Sequence, residues 1–300
     1  MHQEFPVCEL EELGALRIQG ADAVRFLQGQ LSNDLQRLTP ERALIAGYHN
    51  PQGRVIALLR LVHLAEADVL AILPRELLTP VAQRLAKFVL RSKVRIAAEC
   101  ADWSISGRVG WEAAAPPPPL GEQRRVSDAI IVCVSEHPAR YLEIRPRTAA
   151  PPARPAATTA TGAHWRVLEV RAGLPQVYAQ TSEQFVAQML NLDVIGAIAF
   201  DKGCYTGQEV IARAHYRGRI KRRLQRFCSR GPLALAPGDG GTLPDGRPFK
   251  VVQAARLEDG RCEFLAVAPL PGAQAESAGG DDTTAPVDAE SLPLPYRLPD

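Results

Sequence analysis

The chain has 300 residues, which is more than one hydrophobic core usually needs, so length favours two or three domains or subdomains. Its 35 basic and 33 acidic residues leave a formal net charge of +2, which argues against a surface coated in cations for nucleic acid but allows one local basic patch. No stretch approaches the roughly 18 continuous apolar residues of a membrane span, and residues 1–12 lack the apolar run of a signal peptide. We expect a cytoplasmic monomer without a membrane segment.

The first predicted elements alternate helix and strand. Apolar residues at helical spacing predict a helix over 21–38, and a second amphipathic pattern after Pro74 predicts a helix over 77–88. Short apolar runs of strand length predict strands at 55–62, 69–73, 93–99 and 103–109.

Two proline-rich stretches interrupt the middle of the chain. Four consecutive prolines at 116–119 should be extended and exposed, and residues 146–162 lack apolar periodicity, which predicts a linker or a mobile loop. Between these stretches we predict strands at 126–134 and 140–145, joined near His137-Pro138.

The C-terminal half begins with helical patterns and ends with strands. Helices are predicted at 164–173, where Gly173 would end the first of them, and at 183–192. Strands at 249–257 and 261–268 flank Glu258-Asp259-Gly260, which is a strong hairpin signal. The Gly/Ala/Asp-rich stretch 272–290 is predicted to be a loop or a frayed tail.

Six cysteines are spread so widely that no two are closer than 24 residues. This spacing lacks the paired C-x-x-C pattern of zinc or iron–sulfur ligation, so we predict no metal site from ligand spacing. We expect most of these cysteines to be buried in the core as small hydrophobic side chains. This expectation fits Cys8, Cys100, Cys133, Cys228 and Cys262.

The sixth cysteine, Cys204, lies in the segment K-G-C-Y-T-G-Q-E at 202–209. Thr206 with Glu209 three residues later has the spacing of a capping box, which predicts a helix that begins just after Cys204. The partial positive charge of a helix N-terminus, with Lys202 close by, would favour the thiolate, which is the nucleophilic and metal-binding form. The glycines at 203 and 207 could admit a ligand. The residues alone leave a buried structural cysteine as an equal alternative.

A basic stretch follows the predicted helix. It carries six cations in eleven residues with Tyr216 between them, a pattern that could attract an anionic ligand or RNA phosphates, or could be a solvated strand edge. The cations are Arg213, Arg217, Arg219, Lys221, Arg222 and Arg223.

The segment around Cys204 resembles the K-G-C-Y-x-G-Q-E motif of the YgfZ family. The similarity covers essentially the whole chain, although the N-terminal pattern is shared with the glycine-cleavage T-protein. Further matching stretches lie at 18–22, 26–30, 171–175, 185–193 and 293–296. The chain departs from the family at Ala187, where a proline is usual, and at Leu13, where an aromatic residue is associated with folate.

The resemblance implies an α+β protein of three subdomains in a ring, like the T-protein, with a small C-terminal β-barrel. We place these subdomains at 1–122, 123–223 and 224–300. It also implies a tetrahydrofolate or a folate derivative in the central channel, and a role in iron–sulfur cluster assembly or repair that supports modification of some tRNAs. The expected partners are folate and iron–sulfur enzymes or assembly proteins, and direct tRNA binding is left open. We expect an accessory factor, with a tetrahydrofolate-dependent transferase as the alternative.

The same resemblance assigns expected roles to residues of the segment. Cys204 would be the reactive thiol beside the folate. Trp165 matches an aromatic position associated with folate in the family, although packing in the core explains a tryptophan equally well. The full set expected to bind the cofactor is Trp165, Tyr205, Gln208, Glu209, Arg213 and Arg217.

Three rival functions remain open at this level. The nearest is the folate-dependent aminomethyltransferase activity of the T-protein, which resembles the chain around 53–56 but continues with paired aspartates. Ala57 and Leu58 stand in those places, and apolar side chains cannot act as acid, base or cation stabiliser. The others are a nucleic-acid-binding module that uses the basic stretch, and a scaffold in which Cys204 is inert.

Overall fold

The computed structural model describes residues 7–99, 101–111, 116–147, 162–218, 220–272 and 285–299. Cys100 and Arg219 lie outside these ranges, as do most of the predicted 146–162 loop and much of the 272–290 stretch.

Strands make up most of the regular structure in the described ranges. In chain order they are β1 (Val7–Glu9), β2 (Leu13–Gln19), β3 (Leu44–His49), β4 (Val55–Ala65), β5 (Asp68–Pro74), β6 (Arg95–Ala98), β7 (Trp103–Val109), β8 (Gln123–Val126), β9 (Ala129–Glu136), β10 (Ala139–Pro146), β11 (Arg222–Ser229), β12 (Gly240–Thr242), β13 (Pro248–Arg256), β14 (Cys262–Pro269) and β15 (Ala289–Leu292). The predicted strands at 55–62, 69–73 and 103–109 and the hairpin around 258–260 are confirmed.

Helices are fewer than the sequence pattern predicts. They are α1 (Ala23–Gln28), α2 (Arg75–Ala86), α3 (Gly162–Arg171) and α4 (Gln208–Arg217). The predicted helices at 77–88 and 164–173 correspond to α2 and α3, and Gly173 follows α3 with a φ of 65°. The proline run is only partly exposed, because Pro118 is buried.

The predicted helix over 21–38 is wrong beyond its first part. After α1 the backbone N–H of Ser32 donates to the carbonyl of Gly47 on β3, and the Ser32 hydroxyl donates to Ala197 O at 2.7 Å. Only a 3₁₀ turn at Leu35–Arg37 follows. Tertiary hydrogen bonds therefore replace the helical ones that the apolar spacing predicted.

The predicted helix over 183–192 is also wrong. Residues at its start pair with the beginning of β4, since Glu183 N donates to Val55 O and Val55 N donates to Phe185 O. A 3₁₀ helix occupies only Ala187–Leu190, and it ends at Asn191, whose φ of 56° is left-handed. The backbone of this segment is thus used to join neighbouring elements rather than to form a helix.

Three five-stranded sheets build the molecule. Their strand orders are β3-β4-β5-β2-β6, β1-β7-β10-β9-β8 and β12-β13-β14-β11-β15. In the third sheet the chain before β15 returns to β12, where Val287 N donates to Thr242 O at 2.9 Å, so the sheet curls until its two edges meet. The predicted α+β class with a barrel-like C-terminal sheet is confirmed. The boundary at residue 122 stays a prediction, because β7 pairs with β10 across it.

One hydrophobic core joins elements from distant parts of the chain. It combines first-sheet residues such as Leu16 with Val170 of α3, Ile211 of α4 and Val252 of the third sheet, all fully buried. A second core around Trp165 lies between α3 and strands of the first and second sheets. The curled third sheet also encloses a core of its own, in which Phe227, Phe249 and Phe264 are buried.

Buried polar side chains connect the segment 187–193 to the third sheet through hydrogen bonds and an ion pair, which we call the clamp. Arg223 of β11 is buried and donates to both carboxylate oxygens of Asp193 at 3.0 Å and to the Gln188 carbonyl at 3.1 Å. The Asn191 amide donates to Leu224 O at 3.0 Å. Since each buried donor here finds an acceptor, these residues are structural.

A buried ion pair of this kind predicts a large cost for removing one partner. Arg223→Met should destabilise the fold by about 3–5 kcal/mol in urea unfolding, because Asp193 would remain buried without its cation. Arg230→Met removes an exposed arginine that lies 3.7 Å from Asp288, and it should change stability by less than about 1 kcal/mol. Equal effects of the two substitutions would contradict this account of the clamp.

Candidate functional site: the Cys204 turn and the adjoining cavity

Cys204 is exposed, whereas Cys8, Cys133, Cys228 and Cys262 are buried. The expectation of burial is thus met by these four, and the alternative of a buried structural Cys204 is excluded. Burial raises the pKa of both the Cys8 and the Cys133 thiols to about 11. Among the described cysteines, Cys204 is therefore the one that a reagent or partner can reach.

The predicted capping box at the start of α4 is wrong. The residue before α4 is Gly207, with a φ of 83°, and no side chain caps the helix. Glu209 instead pairs with Arg213 at 2.8 Å on the surface of the helix. The cap position is occupied by glycine because the backbone there has a left-handed conformation that a threonine would not readily adopt.

Gly207 also permits a close contact between two turns. One is the segment 202–207, which we call the Cys204 turn, and the other is the β3–β4 turn. A Cβ atom at this position would lie 2.5 Å from the Asn50 carbonyl oxygen and 3.1 Å from the Cα of Gly53. This glycine therefore serves packing rather than ligand access. A Cβ at Gly203, by contrast, would have no atom within 4 Å.

Lys202 anchors the same turn to the N-terminal part of the chain. Its ammonium group donates to the carbonyl oxygens of Gln28 and Leu31 at 2.6 Å and of Asn33 at 2.9 Å. Burial lowers the pKa of Lys202 to about 8, which leaves it largely protonated at pH 7. Because all three N–H groups are used in this way, Lys202 acts as a structural clamp.

Tyr205 and Gln208 follow the exposed cysteine in the chain and are less exposed than it is. Tyr205 is buried in the main core, and burial raises its pKa to about 12. Gln208 is half-buried at the start of α4. The backbone N–H of Gln208 donates to the carbonyl oxygen of Tyr205 at 3.2 Å, which connects the turn to the start of α4.

A buried histidine, His49, packs next to Tyr205, with ring centroids 6.2 Å apart. Neither of its ring nitrogens has a hydrogen-bond partner among the described residues, and burial lowers its pKa to about 3. Sequence reasoning missed this residue, since a single histidine at the end of a strand carries no signal of its own.

The exposed face of α4 carries only part of the predicted basic stretch. Arg213 and Arg217 are exposed, whereas Arg223 is committed to Asp193. His215 stacks on Phe200 with ring centroids 3.8 Å apart, which is a structural contact. The basic stretch is therefore divided between the surface and the interior.

A cavity of about 670 Å³ lies between the first two sheets, the segment 194–198 and the tail at 295–296. Arg37, Arg42 and Arg60 are among its lining residues. Two contacts connect it to the Cys204 turn: Arg37 pairs with Asp201 at 2.8 Å, and Lys202 binds the carbonyl of Asn33, which also lines the cavity. Its volume is within the range of small-molecule and cofactor sites.

A buried polar cluster continues the cavity wall into the interior. Arg60 lies 3.4 Å from Glu169 of α3, and the Gln253 amide donates to the same carboxylate at 3.4 Å. Trp165 is only 1% exposed, and the guanidinium carbon of Arg140 lies 5.0 Å from the centre of its ring. Trp165 of α3 thus lies in this buried cluster, apart from the predicted site residues Arg213 and Arg217, which are exposed on α4. The other members of the cluster could not be predicted from the sequence, because an isolated polar residue within an apolar pattern carries no signal of its own.

No group of three or more potential metal ligands occurs among the residues that the structure describes. Over the same residues, no helix combines the length and apolar character that crossing a membrane requires.

Comparison with solved structures shows which known fold this chain shares. The aminomethyltransferase T of the glycine cleavage system from Bartonella henselae superposes with a TM-score of 0.70 over 89% of this chain and 79% of that chain, at 14% sequence identity. The predicted likeness of fold to the T-protein is confirmed.

Comparison with curated proteins identifies the family to which the chain belongs. The chain is 32% identical over 269 residues to the tRNA-modifying protein YgfZ of Shigella boydii, covering 84% of this chain and 82% of the relative. The protein of the same name from Colwellia psychrerythraea is 32% identical over 239 residues, which cover 77% of this chain and 73% of the relative. No protein-family model matches. The chain belongs to the YgfZ family.

The unpartnered His49 predicts acid sensitivity. Its pKa falls from 6.5 in the unfolded chain to about 3 in the fold, so the unfolded state binds more protons between these values. Stability is complete above pH 6.5 and is lost as the pH falls. When the pH falls from 6.5 to 4.5, the free energy of unfolding should decrease by about 2–3 kcal/mol more in the wild type than in His49→Gln.

The matched control is His63→Gln, which changes a half-buried histidine on β4. Urea unfolding at several pH values should give this variant the same pH dependence as the wild type. An unchanged acid slope in His49→Gln would show that His49 is not the group that titrates.

Proposed function

We propose that this protein binds a tetrahydrofolate in the cavity and acts in iron–sulfur cluster assembly or repair, and thereby in the modification of some tRNAs. The observation that carries the proposal is the connection between an exposed, anchored Cys204 turn and a cofactor-sized cavity through Arg37 and Lys202. Family membership supplies the link to tRNA modification, since relatives are named tRNA-modifying proteins.

The charge of the lining supports a folate as the occupant. Arg37, Arg42 and Arg60 line the cavity, and their cationic groups suit the carboxylates of a glutamate tail. Trp165 is buried and is not among the lining residues, so the contact with the ring end of the ligand that the family resemblance implies for it stays a prediction. Arg213 and Arg217 on the exposed face of α4 would draw the anionic ligand towards the protein by their charge.

Cys204 would present its sulfur outside the cavity, where a partner protein can reach it. The thiolate is both a nucleophile and a ligand for iron. Tyr205 and Gln208 would fix the position of the turn, and Glu209 would support the first turns of α4 through its pair with Arg213 on the same helix. When bound, tetrahydrofolate supplies a carrier for one-carbon units. In this arrangement the protein is an accessory factor whose clients are iron–sulfur enzymes or assembly proteins.

Folate-dependent aminomethyl transfer remains the second candidate, because the fold is that of the T-protein. Against it, Ala57 and Leu58 are fully buried apolar residues on β4, at the places that match the paired aspartates. A site without those carboxylates lacks the acid and base that the transfer would require.

Binding and complementation test the proposal together. We expect 5-formyl-tetrahydrofolate to bind in isothermal titration calorimetry, and the purified protein to show no folate-dependent glycine cleavage. In a bacterial strain that lacks its own YgfZ, the wild-type gene should restore iron–sulfur-dependent tRNA modification, whereas Cys204→Ala should not, because the thiol is lost.

Cys262→Ala is the matched control, since it removes a buried thiol from β14 of the third sheet, which is not among the residues that line the cavity. It should complement as well as the wild type. Full complementation by Cys204→Ala would favour the scaffold alternative, and robust glycine cleavage would favour the aminomethyltransferase.

A further inference from the structure

Residues 87–95, which connect α2 to β6, expose apolar side chains to solvent. Leu90 is 87% exposed, more than any other large apolar residue of the described ranges, and Phe88 is 48% exposed. Val89 and Val94 of the same stretch pack against the main core. The valines thus hold the stretch on the core, whereas Phe88 and Leu90 form an apolar surface outside it.

The backbone at Leu90 is as unusual as its exposure. Its φ of 40° lies in the left-handed region, where a Cβ atom is crowded and where the end of a helix usually has glycine or asparagine. A leucine is therefore unfavourable here twice, once for its backbone and once for its side chain. Departures of this kind are expected where a residue is retained for a contact with a partner.

Four cations lie in the same nine residues. Lys87, Arg91, Lys93 and Arg95 are exposed, and none of their side chains has an ion pair or a hydrogen bond with another residue that the structure describes. Asp22 uses its carboxylate to accept from the backbone N–H of Lys93 at 2.7 Å. The stretch itself contains no acidic residue. Its positive charges are therefore uncompensated.

The stretch is held in place on both sides of Leu90. Before it, Val89 packs on the core, and the N–H of Ser92 closes the turn by donating to the Val89 carbonyl at 2.7 Å. After it, the backbone of Lys93 contacts Gly20 so closely that a Cβ atom on that glycine would lie 2.0 Å from the Lys93 carbonyl oxygen. A surface fixed in this way loses little conformational entropy when a partner binds.

We propose that residues 87–95, which we call the docking turn, form the surface on which a client protein docks. The chemistry of the turn defines the partner: a protein with an apolar pocket for Leu90 and Phe88, bordered by Asp and Glu carboxylates that face the cations. This inference rests on the proposed role as an accessory factor and deepens it, because it gives that factor a place to hold its client.

The composition of the docking turn favours a protein over RNA or a lipid surface. Apolar side chains together with charged ones are typical of protein interfaces, in which buried anchors carry most of the binding energy and charges speed association. RNA is less suited, because the most exposed side chain, Leu90, has no aromatic face on which a base could stack. A lipid surface is less suited, because two apolar side chains on a turn do not make the apolar face of an amphipathic helix.

Two variants separate docking from folding. Leu90→Gly removes the exposed side chain and suits the left-handed backbone, so its melting temperature should equal or exceed that of the wild type. The double variant Arg91→Glu/Lys93→Glu reverses two exposed charges and should also keep its fold. In a bacterial strain that lacks its own YgfZ, each should lower iron–sulfur-dependent tRNA modification about 10-fold, as expected for loss of an interface anchor.

Arg256→Glu is the matched control, since it reverses an exposed arginine at the end of β13. It should complement as well as the wild type. None of the residues of the docking turn lines the cavity. Affinity for 5-formyl-tetrahydrofolate should therefore be unchanged in every one of these variants.

Photo-cross-linking in the same strain identifies the partner. With p-benzoylphenylalanine in place of Phe88, we expect a protein adduct that is lost when Arg91→Glu/Lys93→Glu is added. Reversal of an acidic residue of the captured protein to lysine should then restore tRNA modification to the double variant. Purified tRNA and vesicles of phosphatidylglycerol are the probes for the two rival partners, and neither should bind through the docking turn.

Complementation by Leu90→Gly and by the double variant at the wild-type level would overturn the docking turn and leave the proposed function standing. An adduct to RNA, to lipid or to a second copy of this chain would also overturn it, as would the absence of any adduct. A melting temperature well below that of the wild type in Leu90→Gly would assign Leu90 to the scaffold. Failure of the wild-type gene to complement would overturn the proposed function itself, and the client surface with it.

Discussion

The close contact between two glycines is the constraint on which the position of Cys204 depends. Gly207 precedes α4 in a left-handed conformation and packs against the β3–β4 turn at Gly53, where a side chain on either residue would meet its neighbours. Lys202 fastens the other side of Cys204 to three carbonyl oxygens. A reactive group held between two such anchors can be exposed to partners without being mobile, which is what a presented thiol requires.

Buried polar groups in this fold divide into two kinds. Arg223 and Asn191 have hydrogen-bond partners, and each joins distant segments of the chain. His49 and Arg140 are equally buried but lack hydrogen-bond partners among the described residues. Groups of the first kind build a scaffold, whereas groups of the second kind cost stability.

Local patterns predicted the elements that depend on local chemistry. The strand at 103–109 was found at Trp103–Val109, because alternation and flanking residues specify a strand by themselves. The helices predicted at 21–38 and 183–192 failed because Ser32 and Phe185 bond to other strands, which spacing cannot reveal. Cys204 was identified from its motif, whereas the burial of Arg140 follows only from the packing of three separate sheets. The cavity is a product of that packing and has no local sequence signal.

The central claim is that Cys204 and the folate cavity form one site. The alkylation rate of Cys204, measured with and without saturating 5-formyl-tetrahydrofolate in a protein whose other cysteines are replaced by alanine or serine, tests it most directly. Because Asp201 and Lys202, which directly precede the Cys204 turn, contact the cavity-lining residues Arg37 and Asn33, occupancy should change the rate several-fold. A folate that binds tightly yet leaves the rate unchanged would contradict the claim.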